Sequence, residues 1–569
     1  MTKRLAQLLT VLTLTCLAAS ATAQVEQQKV EGSGLQQGDN FGGSVDVSGN
    51  WAIVGAAHAD DIVSESGAAY VLERTSSGWV ERQRLKAGDP VANSGFGYAV
   101  QIEGSTIAIG APGATDVGLL NAGAIYVFEM VNGVWSQQQK LAPGDAGPNY
   151  GFGYSVALAG DRLIGGAIGE PHAGSHTGAA YVFEYNGATW TQAAKLIASD
   201  GTGGDVFGYS VTIDGDVAVV GATGCWVGGF PFVGAAYVFE KQGSLWPLTQ
   251  TQKLVPTNPS STQNYAYSLG VVNGSILVGA IGNQIALPNG GAVFVYQRSG
   301  VSWSESQVLL PGDLSPGSFF GMHIAANAGR AVIAAASSDS PLAIGSGYLF
   351  DELNGVWTQI GKLVASDVGY GDVFGTAVAV DGNTVLVGNS SDDDACPSLP
   401  SCDSGSAYFF EVAPDSAQYG SCGAGGPCSN VDGHGGCPNS TGQGAVLASC
   451  GSNSVAADDL VLEARWLPSG VHAIGFLGRA QTSVFLGDGR RVVAPGFGAG
   501  LYRLAVNTAD AAGVLRYGPG LVAFSQGLPA AGNIAPGVQW NFQVWYRDLA
   551  GPCSSGTNTT NGVSVLFAP

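Results

Sequence analysis

Charge is scarce in this chain. Only 11% of residues are charged, and acid outweighs base by 43 to 22, leaving a formal net charge of −21. Nucleic-acid binders carry a basic footprint, so a phosphate-backbone partner is excluded. The signatures of common catalysts are also missing. There is no G-x-S-x-G, no H-E-x-x-H, and no phosphate-cradling glycine loop ending in Lys-Ser or Lys-Thr. The six histidines are scattered and show no triad. Long apolar runs are lacking too: the uncharged stretch from Leu5 to Leu17 falls short of the roughly 20 residues that a bilayer span needs, so no transmembrane segment is expected.

That stretch has another meaning. Lys3 and Arg4 precede it and Ala21-Thr22-Ala23 follows it, the three-part pattern of a secretory signal peptide over residues 1–23. The mature protein is expected to be secreted or held at the cell surface, as a monomer. Eight cysteines remain after Cys16, none with the paired spacing of a zinc ribbon, and an exported chain makes disulfides their default state. Cys396 and Cys402 are expected to staple their own loop.

Glycine, by contrast, is abundant, at 88 residues, and much of it is periodic. An aromatic residue opens each of seven copies: Phe41, Phe96, Phe152, Phe207, Tyr265, Phe320 and Phe374. Fourteen residues later stands the glycine of a V-G-A segment, from Gly55 to Gly388, with Ala334 in the sixth copy. A variable loop and a G-A-x-Y-V-F segment follow, then a turn, a Trp and an alternating segment ending in Leu, as in Trp190 to Leu196. Four short alternating or apolar runs broken by Gly, Asn and Asp turns predict a four-stranded antiparallel meander. Seven such meanders predict a β-propeller.

The seventh copy has no Trp-to-Leu segment. Residues 24–30, QVEQQKV, resemble Trp79 to Leu85, WVERQRL, so the N-terminus is expected to supply the outer strand of the last blade and close the ring. Strand order follows: F-G-x-S-V innermost, then V-V-G-A, A-Y-V-F and the Trp segment. Loops 2–3 and 4–1 then share one face and vary in length, while the opposite face carries tight turns. Variable loops on a rigid scaffold are the usual place for binding.

Leu196 to Val211, LIASDGTGGDVFGYSV, resembles the bacterial variant of the FG-GAP repeat, shared in outline with the seven-bladed head of alpha integrins. The resemblance covers residues 24–413 and implies adhesion or ligand recognition, or in some cases hydrolysis. The calcium-binding D-x-D-x-D-G loops of integrins are not matched; Asp214 and Asp216 are the nearest echo.

Five aspartates, Asp89, Asp145, Asp200, Asp313 and Asp367, each stand seven residues before an opening Phe. Identical placement points to a structural role, an Asx turn or bonds to nearby amides. Asp392, Asp393 and Asp394 form either a solvated acidic loop or a surface calcium site, the one cofactor the sequence suggests. Glu170, His172 and His176 share a Gly-rich loop and are candidate binding residues. Cys225-Trp226 and Phe230-Pro-Phe232 lie in the 2–3 loop of blade 4, where exposed aromatics serve either rim packing or contact with a protein or glycan.

Beyond Val412 the repeat stops. Residues 414–444 read as a Cys- and Gly-rich linker, and alternating runs from 445 to 569 predict a β-sandwich. The landmarks GCPNSTG (436–442), DDLVL (458–462), GDGRR (487–491), QVWYRD (543–548) and TNGVSV (560–565) resemble a C-terminal domain of secreted planctomycete-type proteins. Surface retention, carbohydrate binding and structural capping are all open for it.

The expected function is recognition of an extracellular protein or glycan through the 2–3/4–1 face. The alternative is an extracellular hydrolase or lyase acting there on a polysaccharide or ester. Converging carboxylates or histidines in the central depression would mark the enzyme, and exposed Trp226, Phe230 and Phe232 the binder.

Overall fold

The computed structural model describes residues 26–412, except 61, 76, 337–344, 354, 368–370 and 395–401. It further describes 417–419, 439–440 and 445–567, except 451–454, 456–457, 459, 466, 487–488, 496–499, 511–512, 530–531, 537, 550–555 and 561. The leader and most of the linker lie outside these residues. The chain divides into two compact units, Ala23–Glu411 and Val412–Pro569.

The first unit contains seven four-stranded antiparallel sheets. In blade 4 the strands are Phe207–Asp214, Val217–Ala222, Ala235–Glu240 and Gln252–Leu254, paired in that order. The first strands of the seven blades touch their neighbours in a closed circuit, so they line a central channel. The ring closes as expected: Glu26–Val30 pairs antiparallel with Ser406–Glu411 as the outer strand of blade 7.

Packing between blades explains why the repeat is so strict. One core contains Ile164, Ala180 and Val182 of blade 3 with Phe207, Val220 and Tyr237 of blade 4. Each opening aromatic is buried and packs edge-on against an aromatic ring of its own third strand, a tyrosine in every blade but the fifth, as Phe207 does on Tyr237 at 5.4 Å and Tyr265 on Phe294 at 5.4 Å. Backbones meet where side chains would not fit: a Cβ at Gly166 would collide with the Gly208 carbonyl of the next blade. The serine of F-G-x-S-V donates to that same carbonyl from the preceding blade, with Ser155 at 2.8 Å from Gly208 O and Ser210 at 2.7 Å from Ala266 O.

At the rim, a glutamine of one outer strand grips the Trp backbone of the next. Gln83 Nε2 donates to Trp135 O at 2.7 Å while Trp135 N donates to Gln83 Oε1 at 3.0 Å. A side-chain amide here substitutes for a peptide group, joining sheets that share no ladder. Gln28 of the N-terminal strand makes the same pair of bonds with Trp79, so closure is held across blades as well as within one.

In the second unit one sheet includes Ala417–Tyr419, Gly562–Leu566, Gln539–Asp548, His472–Gly478 and Tyr502–Thr508. Val446–Cys450, Val461–Arg465 and Leu515–Tyr517 form another. Both contribute to one core around Trp540, Phe542, Leu447 and Leu462, a sandwich arrangement.

Candidate functional site

The 2–3 and 4–1 loops do share a face, because they bond to one another. Phe96 N donates to Ser66 O, Phe207 N to Thr177 O and Tyr265 N to Val233 O. The opposite face carries two-residue turns, as between Asp214 and Val217.

The blade 4 loop is firmly seated. Carbonyls of Pro231, Phe232 and Val233 accept bonds from Thr262, Asn264 and Tyr265 of the neighbouring crossover. Its aromatic side chains nevertheless face solvent: Trp226 is 64% exposed, Phe230 45% and Phe232 53%. Phe232 also has φ 53°, a left-handed backbone that is costly for a bulky residue. The same loop position in blades 2 and 5 holds Asn121 and Asn289, which suit that conformation. Exposed Ile62, Val63, Val117, Leu120 and Ile285 lie on the 2–3 loops of blades 1, 2 and 5.

Cys225, expected to be exposed and disulfide-bonded, is a buried free thiol. Its Sγ lies 3.4 Å from Tyr237 Oη inside the interblade core, and burial pushes its pKa up to about 12. Cys402 is disulfide-bonded; Cys396 lies outside the described residues.

Of the acidic candidates, Glu170 and Asp392 turn inward, while Asp394 stays exposed. Glu170 is buried and accepts from Lys195 at 2.9 Å and from His172 Nδ1 at 2.7 Å. His176 bonds to adjacent Ser175 at 2.8 Å, so the two histidines do not converge. Asp392 occupies in blade 7 the position of Glu170 in blade 3. It accepts from Ser406 and Tyr408, each at 2.7 Å, and from Lys29 at 2.9 Å. Burial pushes its carboxyl up, but the Asp394 amide, Ser406, Tyr408 and Lys29 outweigh that and hold it below its ordinary range. Asp394 pairs with Lys29 at 2.6 Å, and Asp393 accepts from Asp403 N at 2.8 Å. Among the described residues no group of three or more His, Cys, Asp or Glu is placed to hold a metal ion.

The five recurrent aspartates carry ion pairs, and Asp145, Asp200 and Asp313 also bond to a backbone amide, as expected. Asp200 accepts from Tyr237 Oη at 3.1 Å and Lys253 Nζ at 2.6 Å, which fastens the incoming crossover to strands 3 and 4 of its blade. Asp89, Asp145, Asp313 and Asp367 make the corresponding ion pairs with Lys140, Lys195, Lys362 and Lys29.

What sequence reasoning missed lies at the channel mouth. The third residue of F-G-x-S-V points into a channel of about 820 Å³, and in blades 2 to 5 it is Tyr98, Tyr154, Tyr209 and Tyr267. Ring centroids lie 5.0, 5.3 and 5.0 Å apart in succession, forming a crescent. Burial, reinforced by neighbouring hydroxyls, raises the Tyr98 and Tyr209 pKa values and keeps both phenols neutral. Gly43, Met322 and Thr376 complete the mouth on the other three blades. The signal was available as tyrosine recurring at a lumen-facing position of the innermost strand.

Farther along the channel Asp46 accepts from Ile102 N at 2.7 Å. Burial pushes its pKa up to about 7 against the pull of that amide and of Val47 N, and Asp381 and Glu103 add to the rise. Among the described residues no Lys or Arg lines the channel.

The FG-GAP repeat family model matches residues 25–72, 79–128, 135–183, 190–239 and 357–410. The first four matched segments each begin in an outer strand and run through the next blade's first three strands; the last runs from the blade 6 outer strand to the third strand of blade 7. A search of curated proteins found no match. Among the described residues no helix is long and apolar enough to cross a membrane.

Proposed function

Starting from an FG-GAP propeller with one loop-built face, we propose that the protein recognises an extracellular protein or glycan through its 2–3/4–1 loops. The observation that carries this reading is the exposure of Trp226, Phe230 and Phe232 on a loop whose backbone is fixed. Large aromatics on a preorganised loop give contact area with little ordering cost on binding. Phe232 sits at a backbone position that suits Asn, where a bulky residue is tolerated at a cost, and such strain concentrates at ligand clamps. FG-GAP repeats are typical of extracellular recognition, and the leader-like N-terminus agrees with export.

Arrays of glycans and surface proteins, probed with and without calcium, test the reading. The wild-type chain is expected to retain a ligand that W226A/F230A/F232A loses, with unchanged thermal unfolding. Equal binding by both proteins would place recognition elsewhere.

One observation favours a hydrolase or lyase: a channel carboxylate, Asp46, with a pKa near neutrality beside Asp381 and Glu103. Turnover of a polysaccharide or ester that D46N abolishes would establish that reading and displace the first.

A further inference from the structure

We propose that the tyrosine crescent binds an organic cation carrying an alkylammonium group, admitted to the channel from the loop face. The inference rests on reading that face as the binding face.

The crescent is not a requirement of the fold. Blades 6, 7 and 1 place Met322, Thr376 and Gly43 at the same strand position, and their first strands join the same closed circuit. Four rings on contiguous blades therefore form a curved π wall, and Gly43, Thr376 and the flexible Met322 on the remaining blades leave room in front of it. Tilts of 43°, 48° and 52° between successive rings bend that wall around the channel axis. Such a wall suits a positive charge, which is drawn to ring faces within about 6 Å. It also suits a neutral apolar body, so shape alone does not decide between them.

Charge does. Among the described residues four acidic side chains, Asp46, Glu103, Asp214 and Asp381, line the channel, and no Lys or Arg opposes them. Three of these hold backbone amides of the adjoining blade: Asp46 that of Ile102, Glu103 that of Gly160 and Asp381 that of Gly49. They act on a guest through their field and need not coordinate it. A lumen of one sign with low-dielectric walls concentrates counter-ions of the other sign. Anionic guests are disfavoured on the same ground. Met322, on the blade next to that of Tyr267, adds a polarizable thioether at one end of the crescent.

Calorimetric titration of the full mature chain with choline, and with its uncharged carbon isostere 3,3-dimethylbutan-1-ol, tests the proposal. Choline is expected to bind saturably and at least about tenfold more tightly than the isostere, the range expected of desolvated cation–π contacts. Y154F/Y209F keeps the rings and should stay within about threefold of wild type, whereas Y154L/Y209L should lose about tenfold or more. M322R, which puts a fixed cation in the channel mouth beside the crescent, should abolish choline binding even if the Leu variant does not fold. Equal affinity for the two compounds, no saturable choline binding, or indifference to M322R would overturn the inference. Array binding measured on the same preparations separates the outcomes: choline binding kept while W226A/F230A/F232A has no effect on array ligands sinks only the recognition reading.

Discussion

Blades 5 and 7 have the same four-stranded topology and solve the same packing problem with opposite chemistry. In blade 7, Lys29 lies among Asp367, Asp392 and Asp394 and over the Tyr408 ring. In blade 5 all three latch positions change together: Asn258 replaces the aspartate, Phe294 the tyrosine and Val308 the lysine. Two hydroxyls stand in for the lost one, on the first strand and two residues farther along the third: Tyr265 Oη donates to Tyr296 Oη at 2.7 Å and Tyr296 donates to Val255 O at 3.3 Å. A blade thus needs its third strand tied to the incoming crossover, but not through ions. Ions are densest where the outer strand is supplied by a distant part of the chain and lacks a hairpin to hold its register.

Removing the cation from blade 7 is the strongest way to test this contrast. Lys29→Met leaves Asp392, with 3% of its side chain exposed, facing an apolar group. Breaking one side of a buried pair predicts a loss of roughly 2–4 kcal/mol in chemical denaturation. Lys253→Met in blade 4, whose partner Asp200 is half exposed, should cost about 1 kcal/mol or less. Equal losses would show that closure has no special dependence on charge.

Acid should act on the same difference. Burial opposes ionisation of Asp145, Asp200 and Asp313, but Lys195, Lys253 and Lys362 and the neighbouring tyrosines hold these carboxyls below their ordinary range. Their stabilisation is complete above the unfolded carboxylate pKa, about 3.9, and is lost as pH falls through the lower folded values. Hydrogen exchange at pH 2–3 is therefore expected to open latched blades before blade 5. Asp46 has the reverse sign: with a folded pKa of about 7, it lowers stability as pH rises from about 4 to 7. Asp46→Asn should flatten that slope in thermal melts.

Smaller effects remain within blade 5. Tyr265→Phe removes one buried donor while Tyr296 keeps Val255 O, a loss of about 1 kcal/mol by denaturant titration. Grafting the latch with N258D/F294Y/V308K should change stability by no more than about 1 kcal/mol, since the new ion pair would be solvent-exposed. A large gain would mean that blade 5 is a weak point of the ring.

Most of the propeller was legible because its constraints recur at fixed intervals. The spacing from Phe207 to Gly221 links a residue that packs on the preceding blade to one whose backbone meets the next, and Gln24 to Val30 was recognisable by its likeness to Trp79 to Leu85. Cys225 shows the limit: in sequence it belongs to a loop, but its thiol turns into the core beside Tyr237. The recurrent aspartates each pair with a lysine that is remote in sequence, 53 residues away for Asp200 and 338 for Asp367, beyond any local pattern.

By itself, then, the amino-acid sequence determined the strand order, the seven-fold repetition and the closure by the N-terminal strand, since each follows from periodic spacing along one chain. Only the tertiary structure decided which side chains meet across blades. The four tyrosines are more than fifty residues apart in sequence and become neighbours because ring closure brings equivalent strand positions together around one axis.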